Sequence, residues 1–243
     1  MKRSQINAIM RDALIFLAAN RFYLPPFAHW TQADWQSKGA ECADIVRQQL
    51  GWDITDFGSG DYDRCGLLLF TIRNGTMADL ALPNGKVYGE KILVVGENQI
   101  TPTHYHHQKM EDIINRGGGE LVLRLWNGTG EGDALAQTPV TVAVDGVQTT
   151  LAAGDELTLA PGESVCLPQR LWHTFWARRG TVLVGEVSRV NDDQTDNRFL
   201  DTVGRFPDIE EDEPPLHLLY NDYARFYSPA ATRQSPDFTT SVP

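Results

Sequence analysis

A chain of 243 residues, 42% of them hydrophobic and 22% charged, is long enough to bury a core of its own. Its formal net charge of −11 argues against nucleic acid and anionic membrane as partners, since both are met by basic surfaces. Three cysteines, Cys42, Cys65 and Cys166, are odd in number and widely spaced, which argues against a disulfide framework and for a reducing, cytoplasmic setting.

The first element is predicted to be a helix opened by Ser4, because Ile6, Ile9, Met10, Ala13, Leu14 and Phe16-Leu17 recur at helical spacing. Arg11 and Asp12 interrupt this run, so it is too short and too charged for a signal peptide or a membrane span. Pro25-Pro26 ends it, and Thr31 with Asp34 opens a second helix towards Leu50 on a capping-box pattern. Residues 1–64 are therefore expected to form an N-terminal helical segment packed on a β-rich body.

From Cys65 to Val190 the pattern changes to short runs rich in Val, Leu, Ile and Thr. Strands are predicted at Leu67–Ile72, Lys86–Val95, Glu120–Trp126, Val140–Val144, Asp155–Leu159, Ser164–Leu167, Thr174–Ala177 and Thr181–Val190. Turn signals such as Asn74-Gly75, Asn84-Gly85, Asp145-Gly146 and Pro161-Gly162 separate them. Many short strands with regular turns imply a mainly β sandwich or closed barrel over 65–200, and the lack of interleaved helices disfavours a parallel sheet. Residues 201–227 read as an acidic, Pro-containing C-terminal extension with a short helix-like stretch at Leu216–Tyr227. Residues 228–243 have no apolar period and read as a loose tail.

The informative segment is Thr103-His104-Tyr105-His106-His107-Gln108-Lys109-Met110-Glu111. Side chains at i and i+2 of a strand share a face, so His104 and His106 aim into one space while His107 points away. Glu111 follows five residues after His106, and His173 stands on a later strand behind Gly162 and Pro168. Three imidazoles and one carboxylate are a common ligand set for Mn²⁺, Fe²⁺, Co²⁺, Ni²⁺ or Zn²⁺, with positions left open for substrate.

This constellation resembles the cupin superfamily, whose first motif is matched by His104, His106, Glu111 and Gly118 and whose second is matched by Gly162, Pro168 and His173. Three slots depart from it: Asn98 and Arg170 replace glycines, and Ala177 replaces a terminal asparagine. A resemblance covering most of the chain is carried by Tyr88-Gly-Glu-Lys91, by Lys109–Gly119, by Asn191–Phe199 and by the acidic stretch from Ile209 to Pro215. These runs look like the D-lyxose isomerase family of cupins. That resemblance implies a jelly-roll β-barrel and a homodimeric, Mn²⁺-preferring enzyme acting on a free monosaccharide. Such an enzyme interconverts D-lyxose with D-xylulose and, usually, D-mannose with D-fructose.

Aldose–ketose isomerisation by an enediol needs an acid and a base near C1 and C2. The resemblance points to Lys109 as a proton-transfer or oxyanion-stabilising group; by residue pattern alone it is equally a lysine beside a turn. Glu186 shares an apolar strand face with Val182 and Val184, a costly place for a carboxylate unless it is paired or functional. It reads either as the general base or as half of a buried salt bridge. Lys91, on a face with Leu93 and Val95, is expected to orient sugar hydroxyls, and Phe175 shares the side of His173 and shapes the pocket. Glu210 is expected at the sugar, and Glu210 and Glu211 are rival bases. Two other functions suit the ligands: an Fe²⁺-dependent cupin dioxygenase and a non-catalytic sugar-binding cupin.

Overall fold

A computed structural model describes residues 1–130, 134–206 and 208–229. The chain opens with helix α1 (Arg3–Ala19), followed by two short helices, α2 (Gln32–Gln36) and α3 (Ala43–Arg47). Strands follow as β1 (Gly51–Thr55), β2 (Leu67–Arg73), β3 (Tyr88–Val95), β4 (Thr101–His106), β5 (Glu111–Trp126) and β6 (Val140–Val144). The remaining strands are β7 (Val147–Leu151), β8 (Glu156–Leu159), β9 (Ser164–Leu167), β10 (Trp172–Arg189) and β11 (Asn197–Phe199), before a final turn of helix, α4 (Tyr223–Phe226). The strands run in the order β1-β2-β3-β10-β5-β9-β6-β7, with β4 bridging β10 and β11 and with β8 on β5. Every pairing between these strands is antiparallel.

Alternation along the strands builds two cores. Leu67, Leu69, Leu93, Val95, Ile113, Leu123, Phe175 and Val184 fill the barrel interior. The opposite faces of the same strands carry Trp52, Ile54, Leu68, Phe70, Ile92 and Leu183, which pack under Ile6, Met10, Ala13 and Leu17 of α1. Both faces are thus buried over residues 67–70 of β2, 92–95 of β3 (Val94 half-buried) and 182–184 of β10, so these stretches read as continuous apolar runs. An ionisable residue on the inner face therefore has only other inner-face groups to pair with.

Several expectations are corrected. The segment 1–64 is not wholly helical, because β1 lies within it and pairs with β2. The helix expected from Thr31 to Leu50 breaks after α2, where the Ser37 hydroxyl donates back to the Asp34 carbonyl and Gly39 is extended; its capping box of Thr31 and Asp34 is present. Ser4 is not a cap; it bonds Asp212 at 2.6 Å, and Lys2 precedes the first helical turn. The two strands expected between Thr174 and Val190 are one, β10, kinked by a bulge where Arg179 and Gly180 take φ of 62° and 115°. The helix-like stretch at Leu216–Tyr227 shrinks to a 3₁₀ turn, Tyr220–Asp222, and α4. Apart from residues 228 and 229, the tail expected over 228–243 lies outside the described residues. All three cysteines are free, and among the described residues no helix is long and apolar enough to cross a membrane.

Candidate active site

Strand β10 is the spine of the site. Its register sets His173 opposite His104 of β4, and thirteen residues later Glu186 opposite Lys91 of β3. Ser188 of β10 faces Glu111 at the start of β5. The residues that a metal and a proton transfer would need, scattered over the sequence, therefore converge on one interior cavity. Its wall includes Lys91, His104, His106, Lys109, Glu111, His173, Phe175 and Glu186.

His104, His106 and His173 each place a ring nitrogen within 4.8 Å of the others. The Nδ1 atoms of His104 and His173 face the carbonyls of Pro102 and Leu171, at 2.8 and 3.0 Å. A carbonyl can only accept, so this contact places the proton on Nδ1 and leaves the Nε2 lone pair free for a metal. Burial, reinforced by the neighbouring imidazoles, holds His104 well below its ordinary pKa; burial lowers His173 to about 4. Both rings are neutral near pH 7, the form that ligates. His173 Nε2 and His106 Nδ1 are buried without a hydrogen-bond partner. Glu111 Oε1 lies 3.4 Å from His106 Nε2 and 3.3 Å from His173 Nε2, the latter without a hydrogen bond.

Beyond the histidines runs a chain of alternating charges. Lys109 Nζ stands 2.6 Å from Glu111 Oε2 and 2.8 Å from Glu186 Oε1. Lys91 Nζ approaches the same Glu186 oxygen at 3.7 Å and Asp193 at 3.5 Å. Arg205 lies 3.8 Å from Asp193 and donates to Asp53 at 2.5 Å. Burial alone would lower the Lys109 pKa, but Glu111 and Glu186 outweigh it and raise the ammonium above its ordinary value. Burial opposes ionisation of Glu111, yet Lys109 and His106 hold its carboxyl well below the usual range. Asp193 is likewise held low by Lys91 and Arg205 against its burial. Four carboxylates thus face three cations along this chain, a surplus of one negative charge. With the free imidazole nitrogens, that surplus fits a bound divalent cation.

Glu210 is a correction. Its side chain is 65% exposed, it pairs with Lys2 at 3.5 Å, and it does not line the cavity. Glu211 is engaged by Arg3 at 2.8 Å and is likewise absent from the cavity wall. The acidic segment serves as counter-charge for the start of α1. Sequence reasoning missed Asp193, Asn197, Phe199 and Arg205, all in the wall, and Asp53 behind Arg205. Asp53 carried a readable signal, a lone carboxylate between Trp52 and Ile54, hidden by the helical reading of that segment.

Comparison with solved structures bears on the fold. The L-ribose isomerase of Acinetobacter sp. DL28 in complex with L-ribose matches with a TM-score of 0.58 at 16% identity, over 86% of this chain and 98% of that one. The L-ribose isomerase of Geodermatophilus obscurus gives a TM-score of 0.57 at 16% identity, again over 86% and 98%. At such identity the likeness shows the fold, a mainly antiparallel cupin barrel. A family model described as D-lyxose isomerase matches residues 1–223, and the chain belongs to that family. It is 49% identical over 229 residues to a D-lyxose/D-mannose isomerase of Serratia proteamaculans, spanning 93% of this chain and 99% of that protein. A D-lyxose/D-mannose isomerase of Escherichia coli O157:H7 is 46% identical over 229 residues, spanning 93% and 100%. The protein is an aldose–ketose isomerase.

Proposed function

We propose that the protein interconverts D-lyxose with D-xylulose, and D-mannose with D-fructose, by proton transfer through an enediol. The names of its two relatives support the sugars. The observation that carries the chemistry is the Lys109 ammonium held between Glu111 and Glu186 in the cavity. His104, His106, Glu111 and His173 would hold one divalent metal, and nitrogen-rich ligation favours Mn²⁺ or Co²⁺ over Mg²⁺. When bound, such an ion supplies Lewis acidity to the sugar carbonyl and its neighbouring hydroxyl.

The chain's own groups do the rest. Both lysines meet Glu186 on Oε1, so Oε2 takes the proton from C2 and delivers it to C1. Lys109 stays protonated and passes a proton between the two oxygens, O2 losing one and O1 gaining one. Lys91 and Phe175, both in the cavity wall, would bound the sugar. The family resemblance supports a homodimer, which light scattering would report as twice the chain mass of 27.1 kDa. Isomerase relatives and a wall of lysines and carboxylates favour this reading over the dioxygenase and non-catalytic alternatives. With Mn²⁺ restored, D-lyxose and D-mannose should yield their ketoses with deuterium entering at C1 from D₂O. No ketose from either sugar would overturn the proposal.

A further inference from the structure

The geometry points to Asn197 as a substrate-hydroxyl acceptor, which fixes the orientation of one sugar hydroxyl remote from the reacting carbons. This inference rests on the aldose reading of the site. Asn197 opens β11 opposite His106, and it lines the cavity with Phe199, two residues on. Its Nδ2 donates to the Asp193 carbonyl at 3.1 Å and to Asp193 Oδ1 at 3.4 Å. Turning the amide over would set its oxygen against two acceptors, so these contacts decide which way round it sits. The carbonyl oxygen, Oδ1, is then buried and has no hydrogen-bond partner. A buried acceptor without a donor is unfavourable, and a ligand hydroxyl entering the cavity would supply the donor.

The chemistry of that ligand is set by the groups around the oxygen. Lys91, Lys109 and Arg205 are donors already committed to carboxylates. The carboxylates of Glu111, Glu186 and Asp193 are claimed in return. Thr101 Oγ1, on β4 and also in the wall, is the other uncharged side-chain oxygen there that is buried and unpartnered. A carboxylate or phosphate ligand brings no hydrogen for Asn197 Oδ1, whereas a neutral polyol does. Because the same amide anchors Asp193, hydroxyl recognition and the charge chain meet in one residue.

Wild-type enzyme and Asn197→Ala would be compared on the best aldose and on its monodeoxy and deoxyfluoro analogues beyond C2, reading kcat/KM for each. Wild type should lose about ten-fold for the analogue lacking the bonded hydroxyl. Asn197→Ala should lose a similar factor with the parent sugar and nothing further with that one analogue, while keeping wild-type penalties at the other positions. In the wild-type enzyme a deoxyfluoro sugar at that position, which accepts but cannot donate, should suffer the same penalty as the deoxy analogue; this comparison stands as the test if the alanine variant does not fold. Penalties in Asn197→Ala equal to those of wild type at every position would overturn the inference, as would full wild-type turnover of the deoxyfluoro sugar at the position where the deoxy analogue is penalised. Absence of isomerisation by the wild-type enzyme would instead strike the aldose reading.

Discussion

Lys109 and Glu186 lie in a buried setting where a charge is tolerated only in company: their side chains are 2% and 6% exposed and 2.8 Å apart. Replacing Glu186 by Gln keeps the shape and removes the proton acceptor. The expected outcome is a fall in ketose formation of about 10²–10⁴-fold, the contribution of one positioned base, with metal content unchanged. Near wild-type turnover would reassign the base, and Asp193 would be next, since it faces the same Lys91. His173→Ala tests the other half of the site. Elemental analysis should show metal lost from the variant, while the circular dichroism spectrum stays that of the barrel, because His173 lines a cavity rather than filling the apolar core. A variant that keeps a full equivalent of metal contradicts the ligand assignment.

At the scale of elements, the two cupin motifs are preserved in backbone where they are not preserved in residue. Asn98 and Arg170 occupy glycine slots, and their φ values are 61° and 62°, beside 94° for Gly118 and 101° for Gly162. The left-handed turns survive the substitutions, which is why departures from the motif left the site intact. The α1 anchor lay beyond sequence reasoning for another reason. Arg3 is fully buried and forks onto both Glu211 and Asp222, more than two hundred residues away in sequence. Arg3→Met leaves Asp222 without its cation and Glu211 with Arg225 alone, at 3.2 Å. Removing one member of a buried charge group costs 3–5 kcal/mol, and the 35% exposure of Glu211 puts this case at about 3. For a chain of this length that is a fall in Tm of roughly 9 °C by calorimetry, and an unchanged Tm would contradict the anchor. The histidine pair and Glu186 were legible because period two puts them on an inner strand face, and Glu111 and His173 by their spacing from His106 and from Gly162 and Pro168. Asp193 and Arg205 were not, because an irregular polar segment has no period from which to read which side chains turn inward.

Across the whole molecule, the shifted carboxylates and His173 pull in one direction as the pH falls. Asp193 and Glu211 have folded pKa values below their ordinary ones, so they stabilise the fold above the usual carboxylate range and lose this as pH falls through it. His173, lowered to about 4, binds protons more readily when unfolded, so it too favours the fold above its ordinary value near 6.5 and loses this on acidification. Metal-free protein should hold a level Tm between about pH 6.5 and 8, decline from pH 6.5 towards pH 4, and decline further below it. A Tm that rises on acidification would contradict the charge network. The account as a whole rests on one cavity in which a metal site and a proton-transfer pair serve one sugar. Its most direct test follows D-xylulose formation from D-lyxose by the purified protein, first with excess chelator, then with Mn²⁺ restored, alongside elemental analysis of each sample. The account predicts no turnover in chelator and recovery with one equivalent of metal per chain; full turnover in chelator with no metal bound would contradict it.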